Sequence, residues 1–145
     1  MPVQFIDVRD VAAWTAGAIG AGRHGIFSLV GTPGALTFGD VVAACSSAAA
    51  NDARVTWAST EFLQANEVGP WVELPLWLPP LPELTGLLNV SNEKARATGL
   101  HLRPLIETVR DTLNEFRSRP ADREMRAGLK PDREADLLVT LAGAT

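Results

Sequence analysis

Short apolar runs alternate along this chain with segments in which apolar residues recur every three or four positions. The runs predict strands, because a strand that is covered on both faces reads as a continuous apolar stretch. Four stretches fit this description, at residues 3–6, 25–30, 54–59 and 87–90. All four are short, and each is bounded by turn-forming or helix-capping residues.

The periodic segments predict helices. Asp7 is expected to cap a helix that ends before Gly20 and Gly22. Thr37 is expected to cap a second helix, with Asp40 completing a variant of the capping box. Four more helices are expected at residues 60–67, 92–98, 105–119 and 131–142.

The spacing of the apolar residues also predicts which face of each helix is buried. The inward residues of the first helix are expected to be Val8, Val11, Ala12 and Ile19, and those of the second Val41, Val42, Cys45, Ala48 and Ala49. The long helix has a stripe of Ile106, Val109, Leu113 and Phe116, and the last helix has Leu137, Leu138 and Leu141.

The alternation of strands and helices predicts an α/β fold, with a small, mostly parallel sheet of short strands flanked by helices. The length of 145 residues fits a single domain. Within it we expect a lobe over residues 3–119, followed by a polar linker and a C-terminal helix over residues 120–145. Residues 68–86 hold five prolines and two tryptophans, which predicts an extended apolar surface loop.

Composition narrows the classes of function. Hydrophobic residues make up 46% and charged residues 21%, which is typical of a folded domain. The net charge of −4 and the scattered basic residues argue against nucleic acid or an anionic membrane as a partner. No apolar run is long enough to span a bilayer, and no secretory signal is visible. With Cys45 as the single cysteine, a cytoplasmic location is expected.

Five blocks of the sequence, in order and at suitable separations, resemble the C-terminal part of extended short-chain dehydrogenases, the NAD-dependent epimerase/dehydratase family. The blocks are FIDVRDVAAW, GIFSLVG, LTFGDVVAAC, WVELPLWLP, and NVSNEKARATGL with RPLIETVRDTLNEFRSRP. The resemblance implies the smaller, substrate-binding lobe of that family. It also implies that the cofactor-binding Rossmann domain is absent. The chain contains no tyrosine, so the general acid of the family is missing, and we expect no cofactor and no metal.

The resemblance also suggests candidate site residues. The segment with Phe5, Asp7 and Arg9 borders the substrate cleft in the family, and the proline-rich loop helps to close over the substrate. Asp7 and Glu73 are therefore the candidate catalytic carboxylates, and the substrate-binding candidates are Phe5, Arg9, Trp71, Leu74, Leu76 and Trp77. The alternatives are that Asp7 only caps its helix and that the loop covers the core or a subunit contact. His24 and His101 are expected to be solvent-exposed turn residues.

Three functions follow from the resemblance. The first is a cofactor-independent enzyme, an isomerase, cyclase or dehydratase acting on an apolar small molecule held in one orientation. The second is a non-catalytic binding or partner subunit. The third is a truncated piece of an NAD(P)-dependent oxidoreductase. A lobe without its Rossmann domain exposes apolar surface, so we expect a homodimer or a complex with a separate Rossmann-type protein.

Overall fold

The computed structural model describes residues 1–50, 53–84, 86–120 and 125–143. Six helices dominate it: α1 (Val8–Gly20), α2 (Phe38–Ala49), α3 (Thr60–Ala65), α4 (Glu93–Arg96), α5 (Leu105–Ser118) and α6 (Pro131–Gly143). A single 3₁₀ turn spans Pro82–Leu84. Two strands of two residues each, β1 (Pro2–Val3) and β2 (Leu36–Thr37), form an antiparallel pair in which Val3 faces Leu36.

The predicted α/β fold with a mostly parallel sheet is therefore wrong. Across the described residues the structure is mainly helical, and its one sheet is the antiparallel pair of β1 and β2. Of the predicted strand at 3–6 only Val3 belongs to a strand, and the segments at 25–30, 54–59 and 87–90 form none.

Around residues 26–31, side-chain hydrogen bonds take the place of the predicted strand pairing. The carbonyl groups of residues 26, 30 and 31 accept hydrogen bonds from Lys94 Nζ, Asn92 Nδ2 and Gln4 Nε2, each at 2.8 Å. Three carbonyls are thus paired without a neighbouring strand. Its apolar residues predicted a strand, but the partners of its backbone are amide and ammonium groups distant in sequence.

The six helices overlap the segments predicted for them, although α3 and α4 are shorter, and the predicted caps at Asp7 and Thr37 are confirmed. The Asp7 side chain accepts a hydrogen bond from the Arg9 amide at 2.9 Å and so caps α1. Thr37 and Asp40 form the predicted capping box of α2, with reciprocal bonds of 3.2 and 2.8 Å. These caps satisfy backbone donors that a helix start would otherwise leave without a partner.

The buried face of α1 is not the predicted one. Val8 and Ile19 are each 76% exposed, whereas Asp10 and Ala18 are buried. The reason is that Asp10 forms an ion pair with Arg103, which draws the polar side of the helix inward. Other stripes are closer to expectation: Ile106, Val109 and Leu113 of α5 and Leu137 of α6 are at least half-buried, although Phe116 and Leu138 are exposed.

The chain divides into two compact units. The first comprises Met1–Asn51 and Thr85–Arg119, and α2 packs on α5 within it. The second comprises Asp52–Leu84 and Pro120–Thr145. The core of the second unit consists of Leu63, Val68, Trp77 and Leu137, with Ala58, Phe62, Leu74 and Leu129 packed around it.

Candidate functional site

A cavity of about 180 Å³ opens in the first unit beside β1. Its wall is mainly apolar because β1, β2 and the start of α5 turn aliphatic and aromatic side chains toward it. The apolar lining residues are Val3, Phe5, Ile6, Ala35, Leu36, Leu102 and Leu105. The polar residues that line it are Gln4, Asp7, Asp10, Thr32, Arg103 and Thr108. Two of the predicted site residues, Phe5 and Asp7, thus belong to this cavity.

Asp7 is the best-bonded side chain of this site. Its side chain is only 5% exposed. Its Oδ1 atom accepts hydrogen bonds from the Arg9 amide and from Arg9 Nε, both at 2.9 Å. Its Oδ2 atom accepts from Arg9 Nη2 at 2.7 Å and from Thr108 Oγ1 at 2.8 Å. Both carboxylate oxygens are therefore occupied by donors from the protein itself.

A second ion pair continues this network. Arg103 donates to Asp10 through Nε at 2.7 Å and through its backbone amide at 2.9 Å. Its Nε also lies 3.6 Å from Asp7 Oδ2. Arg9 in turn donates to Asp111 of α5 through Nη1. The network joins the start of α1 to α5 and to the segment that precedes it.

These contacts keep the network ionised. The hydrogen bond from Arg9 is the main cause of a pKa of Asp7 that lies far below its ordinary value, with Thr108 and Arg103 adding to the effect against the cost of burial. The pKa of Arg9 is raised chiefly by its hydrogen bond to Asp7. A carboxylate this acidic, with every oxygen occupied, is poorly suited to accept a proton near neutral pH. A catalytic role for Asp7 stays a prediction, and its surroundings favour anchoring.

Gln4, which borders the same cavity, is also fully engaged. Its Nε2 donates to the carbonyls of Gly31 and Val90 at 2.8 and 2.7 Å, and its Oε1 accepts from the Val90 amide at 2.9 Å. The backbone comes very close here, since a Cβ on Gly31 would lie 2.4 Å from the Phe5 carbonyl oxygen. The amide of Gln4 thus holds three backbone groups and leaves little for a ligand.

The acceptor oxygens of Asp7, Asp10 and Gln4 at this cavity are already engaged, while most of its wall is apolar. Such a cavity favours an apolar molecule, because a polar ligand would lose its bonds to water without gaining new ones. Arg9 was predicted to bind substrate, but its guanidinium is directed to Asp7 and Asp111. Arg9 does not line the cavity, but it binds Asp7, which does.

The other predicted site residues belong to the second unit. Trp77 is 6% exposed and lies in the core, and Leu74 packs against that core. Leu76 is half-buried and Trp71 is 49% exposed, and both have left-handed backbone angles, with φ of 67° and 64°. The sequence left open whether this loop lines a pocket, covers the core or forms a subunit contact. Trp77 and Leu74 are part of the core or pack against it.

Glu73 has a defined partner within its own loop. Its Oε2 accepts a hydrogen bond from the Gly69 amide at 2.7 Å, and its own amide donates to the Gly69 carbonyl at 2.9 Å. The side chain closes a tight turn in this way. Asp7 and Glu73 thus belong to different units, and a catalytic role for Glu73 also stays a prediction.

Gln4, Arg103 and Thr108 are among the cavity residues that were not predicted as site residues. Gln4 lies next to Phe5 in an apolar run, where a buried amide is unusual enough to be a signal. Arg103 and Thr108 lie about a hundred residues from their aspartates, and nothing in the local pattern indicates that pairing.

The described part of the chain was also compared with the requirements of a metal site and of a membrane-spanning helix, and it meets neither. It contains no group of three or more His, Cys, Asp or Glu side chains placed to hold a metal ion. Among the helices described above, none combines the length and the apolar character that crossing a membrane requires.

Comparison with known proteins adds no relative. Neither the family models, nor the curated proteins, nor the solved structures gave a match to this chain.

Proposed function

We propose that this protein is a small-molecule-binding lobe, derived from the substrate lobe of an epimerase/dehydratase-type reductase, that holds an apolar ligand in the cavity beside β1. The observation that carries the proposal is the combination of a mainly apolar wall with carboxylate and amide oxygens that already accept hydrogen bonds from the protein. Binding is favoured over catalysis because both oxygens of Asp7 are occupied and its pKa is lowered by the hydrogen bond from Arg9, while Asp10 is paired with Arg103.

The size of the cavity limits the ligand. At about 180 Å³ it is smaller than the pockets of roughly 300–1,000 Å³ that hold drug-sized molecules. It resembles in size an engineered apolar cavity of about 150 Å³ that binds benzene. The proposed ligand is therefore a compact apolar molecule, or the apolar end of a larger one that extends into solvent.

Fluorobenzene is a suitable probe because it is apolar, fits this volume and can be followed by ¹⁹F NMR. We expect saturable line broadening as protein is added. Ala35 lines the cavity, so Ala35→Phe should fill part of it and weaken binding by about tenfold, which corresponds to about 1.4 kcal/mol.

The matched control is Ala16→Phe, which adds the same group to an exposed position of α1 outside the cavity. It should bind fluorobenzene as the parent protein does. The absence of saturable binding would refute the proposal, and equal binding by both variants would place the ligand elsewhere. A thermal melt of each variant checks that it is folded.

We propose in addition that the chain works as a homodimer, with a complex with a separate Rossmann-type protein as the alternative, and that it resides in the cytoplasm. The apolar face of α1 supports the need for a second chain, because Val8 and Ile19 are both largely exposed and align with Ala12 on one side of the helix. Large exposed apolar patches commonly mark interfaces.

Light scattering during size-exclusion chromatography tests the homodimer. At micromolar concentration we expect the mass of two chains, and Ile19→Lys should shift the protein toward one chain by placing a charge on this face. Val139→Lys on α6 is the control, because Val139 is 74% exposed and Ile19 76%. A monomeric parent protein would rule out the homodimer, and an unchanged Ile19→Lys would show that this face of α1 is not the contact.

A further inference from the structure

A second concave site lies in the first unit, on the side of α1 opposite its exposed apolar face. It encloses about 360 Å³, within the range of pockets that hold small organic ligands. Its walls come from one side of α1, from Arg23 just after that helix and from the segment after α4. They consist of Asp10, Ala13, Trp14, Gly17, Ala18, Arg23, Thr98, Gly99 and His101.

Two backbone turns of the same kind fix the edges of this site. After α1, the amides of Gly22 and Arg23 donate to the carbonyls of Ile19 and Ala18 at 3.0 and 2.9 Å, with Gly22 in the left-handed region at φ 60°. This is the Schellman arrangement that ends many helices. It places Arg23 directly after a rigid helix end.

The same pattern recurs on the other side. The amides of Gly99 and Leu100 donate to the carbonyls of Arg96 and Ala95, both at 3.0 Å, and Gly99 has φ 96°. Leu100 is buried and holds the turn in place. His101 follows at once, so Arg23 and His101 both extend from well-defined turns.

The charges of the site favour an anion. Both oxygens of Asp10 are taken by Arg103, which offsets the negative charge of this lining residue. Within the part of the chain that the structure describes, the side chains of Arg23 and His101 have neither a hydrogen bond nor an ion pair. Arginine and histidine with unused N–H groups at one cavity suit a carboxylate.

Trp14 supplies the apolar part of the wall. Its ring packs on Phe27 at 4.8 Å between centroids, so one side of the indole is covered. Its Nε1–H group is buried and has no acceptor in the described chain. This atom is almost wholly enclosed, so a ligand in the site would contact the indole ring and not its N–H group.

We infer that this second site binds a small organic acid with a flat apolar body. Its carboxylate pairs with Arg23 and His101, and its body packs along Trp14, Gly17 and Ala18, where the small side chains leave room. The site shares only Asp10 with the cavity beside β1, and the inference does not depend on the function proposed for that cavity.

Benzoate is the probe, with benzyl alcohol as the uncharged molecule of similar shape. In ¹⁵N-labelled protein the indole N–H signal of Trp14 reports on a ligand that packs against its ring. The chain has four tryptophans, and Trp14→Phe identifies the signal by its loss. We expect benzoate to shift this signal in a saturable way with a Kd of about 1 mM, and benzyl alcohol to leave it in place.

Arg23→Gln should weaken benzoate binding by about three- to fivefold, the loss expected for a single exposed charge pair. Arg110→Gln on α5 is the control, because it removes the same charge from an exposed residue outside the site. Equal responses to benzoate and benzyl alcohol, no saturable shift, or an unchanged Arg23→Gln would each overturn the inference. Fluorobenzene binding by Arg23→Gln should equal that of the parent protein, which separates this test from the first.

Discussion

Replacing Trp77 by alanine is expected to lower the free energy of unfolding by about 3–5 kcal/mol, the cost typical of removing a large aromatic side chain from a core. Trp77 is 6% exposed and shares its core with Leu63, Val68 and Leu137. The aliphatic side chains of this core, and Phe62 packed against it, would relax only in part and leave a cavity. Urea denaturation measures the effect.

The matched control is Trp71→Ala in the same loop. Trp71 is 49% exposed, so its truncation should cost less than about 1 kcal/mol. The pair separates the two interpretations that the sequence allowed for this loop. If Trp71→Ala proved as costly as Trp77→Ala, the core assigned to the second unit would be wrong.

The second large effect is expected at Asp7. Asp7→Asn keeps an acceptor for the helix cap but removes the charge that Arg9 and Arg103 surround. Removing one partner of a buried ion pair typically costs about 3–5 kcal/mol, and the partial exposure of Arg9 places our expectation near the lower end, at about 3 kcal/mol. Chemical denaturation at pH 7 measures this difference.

The dependence on pH follows from the lowered pKa of Asp7. Its pKa in the folded protein lies well below the ordinary value of 3.8. Above that value Asp7 is ionised in both states and its stabilising effect is complete. As the pH falls below about 4 the unfolded chain takes up the proton first, so the stability that Asp7 contributes is progressively lost.

The difference in stability between the parent protein and Asp7→Asn should thus be constant from pH 7 to about pH 5 and shrink toward pH 2. Asp111→Asn is the control, because it removes the other carboxylate partner of Arg9 at a side chain that is 53% exposed. Its cost should stay below about 1 kcal/mol. A gap for Asp7→Asn that widened on acidification would contradict the assigned network.

The helices could be predicted from the sequence because their determinants are local. Asp7 and Thr37 mark two helix starts, and Gly22 and Gly99 mark helix ends through backbone angles that other residues rarely adopt. Each signal lies within a few residues of the structure that it specifies. Periodicity in α5 similarly predicted a half-buried stripe.

The strands could not be predicted in this way. The run at residues 25–30 has the composition of a buried strand, but its carbonyls bond to Lys94 and Asn92, more than 60 residues away. The prediction of the inward face of α1 was wrong for the same reason, since Asp10 pairs with Arg103, which lies 93 residues away. Apolar periodicity carries no information about such distant polar partners.

The candidate site was predictable only in part. Phe5 and Asp7 line the cavity beside β1, whereas the loop residues Trp77 and Leu74 belong to the core of the second unit. Arg23 and His101 line the second concave site, although His101 was predicted only as a solvent-exposed turn residue. They lie 78 residues apart in the sequence, and no pattern within either segment reveals that they share a site.

The role of Gln4 has a consequence for how the first unit fluctuates. In a sheet, opening one backbone bond disturbs a ladder of neighbours, but the Val90 amide and the carbonyls of Gly31 and Val90 all depend on one carboxamide. A single rotation of that side chain releases all three bonds together. Proton exchange at Val90 should therefore follow the motion of one residue, independently of the slower unfolding of the helices around it.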